Sequence, residues 1–232
     1  QMCIRDSFAS VFAMVKDRFD SIIAGLGLSL DLSAEYEHIK WAILHHAGRD
    51  YAASRGEYLN GMILAEYLGY DFIDPADYIK FCDDGSFDAE TTNGILSEEM
   101  KKHENGVIPG FYGSHPNGTI RTFSRGGSDI TGSIVARAVY ADLYENWTDV
   151  NGFLMADPRI VPGAKTIKYI TYRELRELSY MGATVLHEDA IFPVRFAGIP
   201  VNIRNTNDVN DPGTMIVSHT DSYDSDDIIT GV

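Results

Sequence analysis

The chain has 232 residues, 44% of them hydrophobic, and a formal net charge of −15 at pH 7. That length suffices for one large α/β domain with a sizeable core, and the acidic balance argues against a nucleic-acid groove or an anionic membrane surface as partner. No apolar run approaches the ~20 residues of a membrane helix, and Cys3 and Cys82 form no motif, which suggests a reducing, cytoplasmic setting.

Residues 1–7 lack a signal-peptide layout and fit nothing downstream, so they are expected to be a non-native scar. Phe8, Val11, Phe12, Val15, Phe19, Ile22, Ile23 and Leu26 recur at helical spacing. Ser33 is placed to cap a second helix through Ala47, with Ile39, Ile43 and Leu44 on one face. Both helices read as packing elements. His38, His45 and His46 do not make a metal site, because adjacent histidines on a helix point different ways and nothing completes the ligand set. Ser54-Arg55-Gly56-Glu57 precedes an expected helix over Tyr58–Leu68, where Glu57 would favour the first turn as an acid. Short strands are expected over Asp71–Asp74 and Tyr78–Phe81, a helix over Thr91–Lys102, and a strand over Val107–Gly113.

The most informative stretch runs from Gly110 to Arg159. Arg125-Gly126-Gly127-Ser128-Asp129 sits between a strand-like segment, Thr119–Phe123, and an apolar-periodic helix, Ser128–Ala141. Adjacent glycines let a ligand approach the main chain, and the N–H groups opening a helix favour an anion. Arg125 adds a planar fork suited to a carboxylate or phosphate, and Asp129 adds a negative charge that suits an amine or a metal-bound phosphate. The same pattern also serves as a plain strand-to-helix turn in which Ser128 or Asp129 caps the helix. A short apolar run then leads into Trp147-Thr148-Asp149-Val150-Asn151-Gly152, followed by Asp157-Pro158-Arg159. Thr148, Asp149, Asp157 and Arg159 are more polar groups than a simple connector at a strand end needs. Further on, Thr171 is placed to cap a helix over Tyr172–Tyr180 ended by Gly182, a helix is expected over Leu186–Phe196, and a strand over Pro200–Arg204. Strands alternating with helices imply an α/β fold whose sheet is largely parallel. The acidic tail from Asp221 to Asp227 reads as a solvated linker.

These motifs resemble the catalytic domain of the aspartokinases, within the amino-acid kinase superfamily. The resemblance rests on Gly110 to Gly113, Arg125 to Asp129, Trp147 to Val150 and Asp157 to Arg159. Gly182-Ala183, Val185 to His187, Ile199 to Val201, Arg204 to Thr206 and Gly213-Thr214 continue it in order, so that it spans roughly Tyr51 to Ile216. It implies a three-layer α/β/α sandwich with a mainly parallel central sheet, in a catalytic domain over residues 8–218. It also implies phosphorylation of the L-aspartate side-chain carboxylate by ATP with Mg2+, in a full-length protein expected to be a homo-oligomer. By the same resemblance Glu57, Phe111, Arg125, Gly126, Gly127, Ser128 and Asp129 would bind aspartate, with Arg125 on its α-carboxylate and Glu57 and Asp129 on its ammonium. Arg125 and Asp129 would be the catalytic pair. Thr148, Asp149, Leu154, Asp157, Arg159 and Thr184 would face ATP, and no metal ligand is assigned.

Three departures from the family pattern stand out. No Lys-Phe-Gly-Gly segment lies near the start, Leu154 stands where the family often has an aromatic residue, and Thr184 stands where it has lysine. The chain is therefore expected to be an N-terminally truncated fragment of low activity, with residues 219–232 leading toward missing ACT domains. The carboxylate nucleophile, with a pKa of ~4, needs no general base at pH 7, in keeping with the lack of a Ser-His-Asp or Cys-His constellation. A P-loop kinase is disfavoured, because no Gly-x-x-x-x-Gly-Lys-Ser/Thr loop is present. Glutamate 5-kinase is disfavoured by Arg125 to Asp129 followed by Trp147 to Val150. The kinase half of a bifunctional aspartokinase–homoserine dehydrogenase and a binding-only module remain as alternatives.

Overall fold

The computed structural model describes residues 2–157, 159–180, 186 and 188–219, with side chains described from residue 8 onward except at 188 and 189. The chain divides into two compact units, Gln1–Phe123 and Ser124–Val232.

The first unit is mostly helical. α1 (Met2–Leu26), α2 (Ser33–Leu44) and α3 (Arg49–Leu68) pack through Ile23, Leu32, Tyr36, Ile39, Leu59 and Ile63. Each buried leucine and isoleucine of this set contributes roughly 1.5–3 kcal/mol by leaving water. α2 opens on Leu32 rather than on a Ser33 side-chain cap, and it ends at Leu44, short of Ala47. The larger correction concerns α3. It does not begin at Tyr58 but at Arg49, behind Gly48 at φ 93°, and it runs unbroken through Gly56. A helical glycine costs about 1 kcal/mol relative to alanine. Here Arg55 offsets that cost: its buried guanidinium lies over the rings of Tyr58, Tyr51 and Tyr112 at 4.5, 4.6 and 5.2 Å and donates to Ser54 Oγ.

The expected strands of this unit are shorter than the sequence suggests. β1 (Asp71–Phe72) pairs in parallel with β2 (Gly106–Val107). Asp74 leaves the strand and caps α4 (Pro75–Tyr78), accepting from the Ala76 N–H at 2.9 Å, so Tyr78 is helical. Lys80 and Phe81 make only isolated bridges. α5 (Ala89–Met100) starts on Asp88, whose carboxylate accepts from Thr91 N–H. The Val107–Gly113 expectation breaks in two, because Pro109 offers no N–H to a ladder and Phe111 takes φ 72°. The chain resumes as β3 (Tyr112–Ser114), antiparallel to β4 (Ile120–Thr122).

The second unit carries a four-stranded sheet in the order β5 (Tyr144–Thr148), β7 (Val201–Asn205), β8 (Thr214–Val217), β6 (Tyr169–Thr171). β5–β7 and β6–β8 are parallel and β7–β8 is antiparallel. β6 and β8 are too short to have been legible as strands. α6 (Gly127–Ala138), α7 (Tyr172–Tyr180) and α8 (Phe192–Ala197) accompany the sheet, and the buried core includes Phe153, Ile167, Ile170, Leu175, Val201, Ile203 and Ile216. α7 opens on the expected cap: Thr171 Oγ1 accepts from Glu174 N–H, and the Glu174 carboxylate accepts from Thr171 N–H at 2.7 Å. The Leu186–Phe196 helix is not continuous. A 3-10 turn over Glu188–Ile191 precedes α8, whose start is fixed by Pro193 in the first turn, where its missing N–H costs nothing. Gly182 lies outside the described residues.

Candidate functional site

The turn before α6 is the centre of the candidate site. Gly126 is left-handed, at φ 56° and ψ 29°, and occupies the position where a serine or aspartate side chain would ordinarily cap the helix. No side chain caps α6, so neither Ser128 nor Asp129 has the capping role. The first-turn N–H groups and the positive end of the helix dipole are left for an anion. Arg125 is exposed and has no ion pair among the described residues. Ser128 is exposed, and Gly127 is buried with its carbonyl accepting from Thr131 Oγ1 at 2.8 Å.

Asp129 is held in place. Asn146, buried in β5, donates from Nδ2 to Asp129 Oδ1 at 2.9 Å and to the Tyr144 hydroxyl at 3.0 Å. Tyr144 in turn donates to the Asp129 backbone oxygen at 3.2 Å. Burial pushes the Tyr144 phenol up to about 12, with the Asn146 contact opposing and the Asp129 charge adding to the rise, so it remains a neutral donor. Sequence reasoning did not find Asn146 or Tyr144. The available signal was a polar Asn146 in the middle of a strand one residue before Trp147.

The second cluster lies at the carboxyl end of β5. Thr148 is half-buried and Asp149 exposed, with Thr148 Oγ1 3.4 Å from Asp149 Oδ1. Such strand ends are where ligands of open α/β sheets sit. Residues 153–155 then pair with 165–167: Leu154 bridges Thr166, Met155 N–H donates to Lys165 O, and Ile167 N–H to Phe153 O. This short hairpin carries Asp157 and Arg159 at its tip. They engage each other, with Arg159 Nη2 2.6 Å from Asp157 Oδ2 and Nε 3.0 Å from both carboxylate oxygens. Those bonds from Arg159 hold the Asp157 carboxyl down at about 2. The Arg159 side chain as a whole remains 88% exposed. Thr184 lies outside the described residues, as do Gly182-Ala183, Val185 and His187.

In the first unit, Glu57 is exposed in the middle of α3, a different setting from the expected helix start, and has no hydrogen bond or ion pair among the described residues. Phe111 sits in the strained turn before β3, where its backbone oxygen accepts from Phe123 N–H at 2.9 Å. Among the described residues, no group of three His, Cys, Asp or Glu is placed to hold a metal. His45 stacks on Trp41 instead. No helix among the described residues is long and apolar enough to cross a membrane.

Comparison with known proteins gives this arrangement its context. The crystal structure of the Clostridium acetobutylicum aspartate kinase matches with a TM-score of 0.87 and 55% sequence identity, covering 94% of this chain and 49% of that one. The structure of Escherichia coli aspartokinase III in complex with aspartate and ADP matches with a TM-score of 0.78 and 25% identity, over 91% of this chain and 52% of that one. Aspartokinase 3 of Bacillus subtilis is 41% identical over 182 residues, 75% of this chain and 40% of its own length. The chain thus spans about half the length of these relatives, or less. A family model described as the amino acid kinase family matches residues 14–205. With most of its length inside that match, and an α/β fold shared with solved aspartate kinases, the chain belongs to the amino acid kinase family.

Proposed function

We propose that this chain serves an aspartate kinase reaction. An L-aspartate side-chain carboxylate oxygen attacks the γ-phosphorus of ATP, the bond to the β–γ bridging oxygen breaks, and 4-phospho-L-aspartate and ADP result. The observation that carries the reading is the uncapped N-terminus of α6, flanked by an exposed Arg125 and an immobilised Asp129, in a chain 55% identical to an aspartate kinase. A zwitterionic amino acid suits this pairing: the α-carboxylate is assigned to Arg125 and the first-turn N–H groups of Gly127 and Ser128, and the ammonium to Asp129. The ionised nucleophile requires no proton transfer, so the residues contribute position and charge.

Thr148 and Asp149 are assigned to the nucleotide, together with Leu154, Asp157, Arg159 and Thr184. Arg159, whose side chain stays exposed while its Nε and Nη2 hold Asp157, is the cation these residues offer the phosphates. Magnesium fits as an ion carried by the nucleotide, since it is commonly held by substrate phosphates and few protein ligands, and it would neutralise phosphate charge there.

The test is an assay for ATP-dependent acyl phosphate, trapped as the hydroxamate, with Arg125→Lys as the diagnostic variant. Lysine cannot reproduce the bidentate fork, so aspartate affinity should fall by about 2 kcal/mol, roughly thirtyfold, with nucleotide affinity little changed. Unchanged aspartate affinity would remove Arg125 from the site.

A further inference from the structure

The turn carrying Asp149 is clamped at both ends. On its entry side the Thr148 carbonyl accepts two donors from one residue, Thr206 N–H at 2.8 Å and Thr206 Oγ1 at 2.9 Å. On its exit side a directional chain of hydrogen bonds holds Asn151. Asn207 N–H donates to Asn205 Oδ1 at 2.8 Å, which fixes the orientation of that buried amide. Asn205 Nδ2 therefore donates to Asn151 Oδ1, and Asn151 Nδ2 donates to Asp211 Oδ2 at 2.7 Å. Gly213 N–H closes the chain on Asp211 Oδ1 at 2.7 Å. A backbone donor at each end thus dictates the polarity of every amide between. Just beyond, Thr214 Oγ1 accepts from Phe153 N–H at 2.9 Å. Between the two clamps only Asp149 and Val150 stand exposed.

We propose that Asn151, Asn205 and Asp211 form a positioning relay that sets the Thr148–Asp149 turn for the nucleotide. The proposal rests on the nucleotide reading of Thr148 and Asp149 given above. None of the three relay residues is assigned a contact with substrate. Their role is to remove the freedom of a turn that would otherwise have to be ordered when the nucleotide binds.

The relay's polarity supplies its own test. N151D places a carboxylate against Asp211 and should open the turn. D211N leaves one oxygen to serve both Asn151 Nδ2 and Gly213 N–H. The double exchange N151D/D211N restores every pair: Asn205 and the new amide at 211 both donate to the new carboxylate at 151, and Gly213 N–H donates to the amide oxygen at 211. Hydrogen exchange of the amides at 148–153 and 206 should accelerate about tenfold or more in N151D and return to within about threefold of the parent in the double variant. ADP affinity measured by titration calorimetry should follow the same order. Parental exchange rates in N151D, or a double variant that exchanges like N151D, would overturn the relay. If N151D does not fold, D211N against N151D/D211N makes the same comparison. Failure of the unaltered protein to bind ADP would overturn the nucleotide reading instead, and the exchange rates would still decide the relay.

Discussion

The two units secure their candidate residues by different physics. In the first, the anchor is aromatic and cationic. Arg55 lies over three tyrosine rings whose phenols are all held neutral, chiefly by burial, and Tyr112 continues the cage by donating to Asp74 at 2.9 Å. This joins the helix carrying Glu57 to the strand that follows Phe111. In the second, the anchors are hydrogen bonds from neutral donors: Asn146 on Asp129, Thr206 on Thr148, and the Asn205–Asn151–Asp211 chain. A cation–π cage tolerates small displacements, because ring faces attract over a broad area. A directional hydrogen-bond chain does not, because its strength falls steeply with distance and angle. The second unit should therefore be the more sensitive to small backbone perturbations.

The strongest way to break this comparison is a pair of glycine substitutions. Gly213 has φ 72°, and a Cβ there would sit 1.8 Å from the Ile203 carbonyl oxygen. Gly213→Ala should cost about 4 kcal/mol, combining left-handed strain with a clash against β7 backbone. Gly118, in the hairpin of the first unit, has a similar φ of 81° but open space around it, so Gly118→Ala should cost only about 1–2 kcal/mol. Urea unfolding of the two variants checks the difference, and equal losses would contradict the stated role of the clash.

An intermediate effect is expected from Arg55→Met. It removes the buried cation and its two bonds to Ser54 while keeping a long apolar side chain, and should lower local stability by about 2 kcal/mol. Hydrogen exchange in α3 and β3 would report it. Unchanged exchange there would show that the cage does not hold these elements together.

The smallest effect should come from His103, which joins α5 to β1. Its Nδ1 lies 2.7 Å from Asp71 Oδ2 and its Nε2 3.1 Å from Glu99 Oε1. The hydrogen bond to Asp71, then that to Glu99, raises its pKa above the ordinary histidine value of 6.5. A raised folded-state pKa means that the contribution is fully present below the unfolded value and is lost as pH climbs through the folded one. The stability gap between the parent and His103→Gln should therefore close as pH rises from below 6.5 toward alkaline values. A gap independent of pH would place the histidine outside any ion pair.

The sequence by itself determined the elements whose signals are local. The apolar repeats of α1 and α2, the Thr171–Glu174 capping box, the strand over Pro200–Arg204 and the glycine turn before α6 all depend on neighbours within a few residues. It also determined membership of the family, because ordered motifs from Gly110 to Gly213 survive in one dimension. Tertiary structure decided the rest. Gly56 lies inside α3 because Arg55 meets Tyr112, 57 residues away along the chain, and not because of any local start signal. Tyr78 is helical because Asp74 caps α4, and the short β6 and β8 become strands only through pairing, β6 with β8 and β8 with both β6 and β7. Asp129 is held by Asn146, and Asn151, two residues past Asp149, by Asn205 and Asp211, contacts that close loops of many residues and leave no periodic trace. Local propensity is written along the chain, but a buried hydrogen bond is specified only when both of its ends have been brought together, and that is a property of the fold.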